Sequence, residues 1–151
     1  MTSATAISPG NLSVESLLGG GSVLQAKPRT ALDWVAIIRQ GISSAAVDAL
    51  TRTLRVTQSE LAAALGIPER TLARRKKEGR LNSEESAKLV RLARVVERAE
   101  KVFDGLDAAL SWLKSPNAAL SGAVPLTLMD TDIGAESVLD TIGRVEHGVF
   151  A

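Results

Sequence analysis

One stretch limits the folds open to this chain more than any other: VTQSELAAALGIPERTLARRKKEGR, residues 56–80. Thr57 stands where a hydroxyl caps a helix, and Glu60, three residues on, completes a capping-box pattern with it. Leu61 and Leu65 give that helix a buried edge, and Gly66 ends it. Pro68 then starts a second helix, because proline is tolerated in a first turn. The connection is long enough only for a tight turn. Two short helices joined this way, the second loaded with arginine, describe a helix-turn-helix. Ala62, four residues before Gly66, is small where the two helices cross, and Leu61, Leu65, Ile67 and Leu72 fall at the motif's apolar positions. Arg75 occupies a position where an apolar residue is usual; its stem is expected to cover apolar surface while its head reaches solvent or phosphate.

The rest of the chain reads as helices built around this motif. Apolar residues make up 45% of the sequence and aromatics only 3%, so the core must be Leu, Val, Ile and Ala, and the pattern is all-α. Residues 1–29, rich in Ser, Thr, Gly and Ala with GGG at 19–21, suggest a mobile arm with one short helix near 14–18. Residues 30–55 suggest a helical platform. In it Leu32, Val35 and Ile38 recur at helical spacing, Gly41 stops the run, and Ser43 or Ser44 caps a second helix with Val47, Leu50 and Leu54 as its stripe. Its expected use is packing, within the monomer or against a second copy. Residues 56–103 hold the helix-turn-helix and a long spine helix, capped by Asn82 or Ser83 and striped by Leu89, Leu92, Val96, Ala99 and Phe103. Residues 104–151 follow with helices near 106–114, 125–129 and 131–147.

Charge divides the chain more sharply than its net value of +1 suggests. Residues 52–101 carry thirteen basic and seven acidic side chains, whereas 102–151 carry two basic and seven acidic. A basic centre and an acidic end point to two binding surfaces, the basic one suited to an anionic polymer. The absence of cysteine rules out disulfides and thiolate chemistry. The start lacks the marks of a signal peptide and no stretch is long enough to span a bilayer, so no membrane association is expected and the cytoplasm is the default location.

Catalysis finds little to use. The one histidine, His147, sits beside Glu146 near the C-terminus without a positioned partner. LGGGS at 18–22 lacks a P-loop lysine, and Asp130 and Asp132 flank a turn where aspartate is an ordinary cap. The chain is read as a non-enzyme with no metal and no cofactor.

Nucleic-acid binding is better supported. A second helix lying in the major groove would present Glu69, Arg70, Ala73, Arg74 and Lys77 to base edges. Arginine pairs bidentately with guanine, making Arg70 and Arg74 the candidates for base readout. Gln58 and Thr71, near helix N-termini, suit phosphates, and Lys76, Lys77 and Arg80 add charge. The alternative is a helix-turn-helix used only as a structural module. Six basic residues among the eleven from 70 to 80 favour DNA, and a two-fold dimer follows as an expectation because one module covers few base pairs.

Three segments then carry a resemblance: SELAAALGIPERTLARRKKEGRLNSEESAKLVRLARV, ALSWLKSPNAALSGAVPLTLMDTDIGAESV and the ending LDTIGRVEHGVFA. Over residues from about 30 to 151 the chain resembles the Xre/MbcA/ParS-type antitoxins, partners of RES-domain toxins in type II toxin–antitoxin pairs. The resemblance implies an all-α protein in which a central Cro/C1-type helix-turn-helix is joined by a long helix to a small helical C-terminal toxin-binding domain. It further implies repression of the chain's own operon through operator DNA, and neutralisation of a RES-domain toxin that degrades NAD or transfers ADP-ribose from it, by blocking the toxin's active-site pocket. On that basis RVEHGVFA, residues 144–151, becomes the expected toxin-binding end. Arg144 and Glu146 would fix the last turn beside His147, Gly148 would release the chain, and Val149, Phe150 and the Ala151 carboxylate would enter the pocket. The competing reading is a free-standing helix-turn-helix regulator whose C-terminal half dimerises or binds a ligand.

Overall fold

The computed structural model describes residues 12–148. Among these the helices are α1 (Val14–Leu17), α2 (Gly21–Leu24), α3 (Ala31–Gln40), α4 (Ala45–Leu54), α5 (Gln58–Leu65), α6 (Glu69–Glu78), α7 (Ser83–Val102), α8 (Leu106–Leu113) and α9 (Asp132–Glu146). Two 3-10 segments, Ala118–Leu120 and Pro125–Leu128, lie between α8 and α9. The described part is helical, with isolated bridges at Ser43 with Arg80 and Asn117 with Ala123.

The spine helix α7 organises the rest. Its twenty residues rise about 30 Å, and Leu89, Val90, Leu92, Ala93, Val95, Val96 and Ala99 are all buried. Helices α1, α3, α5, α8 and α9 all pack on it. Burial on so many sides explains its run of Val, Leu and Ala. Asn82, one of the two caps expected, accepts the Glu85 N–H at 2.7 Å, and Glu85 returns a bond to the Asn82 N–H. Phe103 and Trp112 meet with ring centroids 5.1 Å apart, closing α7 against α8.

Three features depart from the sequence reading. Part of the arm expected over 1–29 is folded: from Leu12 the chain enters the core, where Leu17 and Leu18 are 1% and 0% exposed, and the Val14 N–H donates to Glu97 of the spine at 3.1 Å. Its Ser and Gly content reflects capping and turns, since Ser13 caps α1 and Gly20 precedes α2. The stripe expected on α3 is rotated. Trp34, Ile37 and Ile38 face the core, while Leu32 and Val35 are exposed. The helix carries apolar residues on two faces, and spacing alone does not choose between them. Finally, Ser44 makes no side-chain cap on α4. The Ser43 hydroxyl accepts the Ala45 N–H at 3.3 Å, while the Ser44 N–H donates to the Gly79 carbonyl at 3.0 Å.

That last bond belongs to a seam joining the α3–α4 loop to the α6–α7 loop. The Leu81 N–H donates to Ile42 at 2.9 Å, Arg80 donates to the Gly41 carbonyl at 2.6 Å, and the Ile42 N–H donates to the buried Ser86 hydroxyl at 2.9 Å. Gly41, at φ +89°, has no room for a side chain: a Cβ there would sit 2.4 Å from the Leu81 carbonyl. The seam holds the far end of α6 in place.

Candidate nucleic-acid and partner interfaces

Helices α5 and α6 form the expected helix-turn-helix. Thr57 and Glu60 make the reciprocal capping box, with the Glu60 N–H on the Thr57 hydroxyl at 3.0 Å and the Thr57 N–H on the Glu60 carboxylate at 2.8 Å. The Thr57 N–H and hydroxyl hold the Glu60 carboxyl below the usual carboxylate range. Gly66 closes α5 in the left-handed conformation, φ +70°. Pro68 stands at the N-cap of α6, one residue before its first turn. Leu61, Ala62, Leu65, Ile67 and Leu72 are buried. Leu72 is the one buried residue of α6, so that helix lies on the surface with its charged sides open.

Of the residues expected to meet DNA, Glu69, Arg70, Arg74, Lys77 and Arg80 are exposed, as is Ala73. Glu69, Arg70, Ala73, Arg74 and Lys77 recur at spacings of one face of α6, and Arg74 lies 3.9 Å from Glu78, a loose ion pair. Thr71 is half-buried in the first turn. Three members, Gln58, Lys76 and Arg80, have partners inside the protein: Lys76 donates to Gln58 at 2.8 Å and pairs with Asp48 of α4 at 2.9 Å, tying α4, α5 and α6 together. Arg80 spends one nitrogen on the Gly41 carbonyl. Arg75 points back toward the spine, where Nε donates to Glu85 at 2.8 Å and NH1 to Glu78 at 3.0 Å. Burial pushes the Glu85 carboxyl up, but the Arg75 guanidinium and the Asn82 N–H outweigh it and hold the group below its ordinary value. Asp48 and Glu85, distant in sequence from the helices they steady, had no local signal.

The C-terminal part is built on the same spine. Arg91 reaches from α7 to Asp132 in the first turn of α9 and donates to the Met129 carbonyl at 2.9 Å. Seven residues further along α7, Arg98 pairs with Glu146 in the last turn of α9. Two arginines two turns apart on one helix face thus hold both ends of α9. Ala135, Val138 and Ile142 supply its buried side. Thr131 caps it by accepting the Gly134 N–H at 2.9 Å. Gly134 has to be glycine in this arrangement, because an added Cβ would lie 1.9 Å from the Leu128 carbonyl. The Asn117 side chain shapes the loop before it, accepting the Ala119 N–H at 2.8 Å.

Among the residues expected to meet a toxin, Arg144, Glu146, His147 and Gly148 lie at the exposed end of α9. Glu146 accepts a hydrogen bond from Arg98 of α7. Gly148 has φ +76°, ending α9. Val149, Phe150 and Ala151 lie outside the described residues. The α5–α6 turn touches both the spine and the C-terminal part: Lys88 of α7 donates to the Gly66 carbonyl at 3.4 Å, and a Cβ on Gly66 would approach the Asp130 carbonyl to 3.1 Å. Among the described residues, no helix is long and apolar enough to cross a membrane, and no three His, Asp or Glu side chains converge as a metal ion would require.

Comparisons with known proteins divide the chain along the same lines. Residues 33–94 match the family described as the antitoxin Xre-like helix-turn-helix domain. Residues 98–148 match the antitoxin Xre/MbcA/ParS C-terminal toxin-binding domain. The boundary falls within α7, which serves both. Antitoxin Xre of Yersinia enterocolitica serotype O:8 is 37% identical over 116 residues, covering 76% of this chain and 78% of that protein. Antitoxin Xre of Photorhabdus laumondii is 32% identical over 118 residues, 77% of this chain and 80% of that one. A Sphingobium protein named Prs ADP-ribosylating antitoxin is 28% identical over 130 residues, 80% and 82% of the two chains. A helix-turn-helix and a toxin-binding domain sharing one spine helix, with these relatives across most of their length, show that the chain belongs to the Xre antitoxin family.

Proposed function

We propose that this antitoxin neutralises a RES-domain toxin that consumes NAD, by covering the toxin's active site with its C-terminal region, and that it represses its own operon through α6. The observation that carries this reading is the division of labour on α7. One half of the spine is pinned to a surface helix with an exposed arginine-rich face, and the other is clamped at two points to the helix of the toxin-binding domain. The Sphingobium relative's name couples an antitoxin to ADP-ribosylation, chemistry that takes its ADP-ribose from NAD. A pocket that holds an anionic dinucleotide is basic, and the C-terminal fifty residues carry seven acidic against two basic side chains, so complementary charge would speed and orient docking. DNA contact by two copies in a homodimer, within a larger toxin–antitoxin hetero-oligomer, completes the reading.

Co-expression with a RES-domain toxin tests the partnership. The two chains should leave an affinity column together at fixed stoichiometry, and the complex should retard its own promoter DNA. Separate elution at physiological salt would favour the solitary regulator instead.

A further inference from the structure

Helix α3 presents a surface that its own chain does not cover. Two of the three large hydrophobic side chains exposed among the described residues lie on it, Leu32 at 78% and Val35 at 37%. With Ala36 and Arg39, also exposed, they fall at i, i+3, i+4 and i+7, one continuous face opposite the Trp34, Ile37 and Ile38 side that meets the core. Scattered apolar residues on a surface mean little; an ordered stripe with a small residue at its middle is the pattern of a helix that pairs. The apolar surface also extends beyond the helix. A cleft of about 470 Å3 borders Val35 and continues over Pro28, Ala31 and Trp34 to Val90 of the spine.

We propose that this face is the contact between two copies of the chain, with α3 lying antiparallel on α3 of the partner across a two-fold axis near Val35 and Ala36. The charges select that occupant. The stripe ends on Arg39 in the last turn, and Asp33, whose Oδ2 accepts the Arg29 and Thr30 amides, lies beside it in the first turn. Inverting the helix sets each acid near the partner's base and opposes the two helix dipoles, whereas a parallel pair would align like charges. The face carries neither the cationic excess that suits DNA nor the acidic excess of the C-terminal half. Ala36 at the crossing allows the axes to approach to about 8 Å, letting Leu32 of each copy cover the Ala36 and the Arg39 stem of the other. The assignment rests on the two-copy reading of operator binding, and it names the surface that reading leaves open.

Sedimentation of the full-length chain tests it together with single-cysteine cross-linking, which the absence of native cysteine makes clean. The wild-type chain should sediment as a dimer. Leu32→Arg should weaken self-association at least tenfold with unchanged helical circular dichroism and melting temperature. Val35→Cys should form a disulfide-linked dimer within minutes of mild oxidation, while Ile133→Cys, at a more exposed position on α9, should not. A monomeric wild-type chain would overturn both the two-copy reading and this surface. A dimer unaffected by Leu32→Arg and uncross-linked by Val35→Cys would overturn the surface alone. Loss of toxin co-purification in Leu32→Arg, with self-association intact, would give the stripe to the toxin and likewise overturn the proposal.

Discussion

Arg75 Nε lies 2.8 Å from Glu85 Oε1, the same oxygen that accepts the Asn82 amide at 2.9 Å. The helix that carries the exposed arginines Arg70 and Arg74 is therefore pinned to the capping box of the spine. Glu85 is 7% exposed, so both of its partners lose their acceptor together if the carboxylate is removed.

Glu85→Gln should destabilise the folded chain by about 1–3 kcal/mol at pH 7, the cost of leaving buried donors poorly paired. The acid response gives the sign. The folded carboxyl titrates below its unfolded value, so its stabilisation is complete above about pH 4.3, the ordinary glutamate pKa, and disappears as pH falls through the lower folded value. Urea midpoints of the wild type and Glu85→Gln should differ at neutral pH and converge as the pH falls below the folded value. A constant gap across that range would separate Glu85 from the acid response.

The exposed arginines and the committed lysine should behave differently. Arg74→Ala should cost about 1–3 kcal/mol on a specific operator and relax one base preference. Arg70→Ala should do the same at a neighbouring position. Lys76→Ala, which breaks the links to Gln58 and Asp48, should change the melting temperature more than it changes operator selectivity. Fluorescence anisotropy on operator and scrambled duplexes, run beside thermal denaturation, checks all three. Equal losses for Arg74→Ala on both duplexes would assign it to phosphate.

Two glycines of α9 predict opposite outcomes for one substitution. Gly134→Ala places a Cβ 1.9 Å from the Leu128 carbonyl, a backbone atom that cannot swing aside. Overpacking of that kind costs roughly 1–3 kcal/mol or more. Gly143 has nothing within 4 Å of its Cβ position, so Gly143→Ala should stabilise by about 0.5–1 kcal/mol through helix propensity. Chemical denaturation of the two variants should move the midpoint in opposite directions.

Local patterns were legible where the physics was local. Thr57 with Glu60 is a cap read across three residues and Asn82 is one of the two caps expected for α7, and both form. Buried stripes on α4, α5 and α7 were legible for the same reason. Relationships between distant segments were not. Arg75 looked like a side chain whose head reaches solvent or phosphate, because its acceptor lies ten positions away on another helix. Lys76 looked like a residue that adds charge to the basic face because nothing near it in sequence announces Asp48. Leu12, Leu17 and Leu18 were hidden among glycines and serines, and become core only when α1 meets the spine. On α3, period alone could not tell the face that meets α7 from the face left open.

Pairing with an NAD-consuming RES-domain toxin is read out by the cellular NAD level. Cells expressing the cognate RES-domain toxin should lose NAD, and co-expression of the full-length antitoxin should restore it. A variant ending at residue 147, which keeps α9 and its clamp to Arg98, should remain folded and operator-binding but leave NAD depleted. Full protection by that truncated chain would contradict a role for the C-terminal end in closing the active site, and NAD loss despite the full-length chain would contradict the antitoxin–toxin pairing itself.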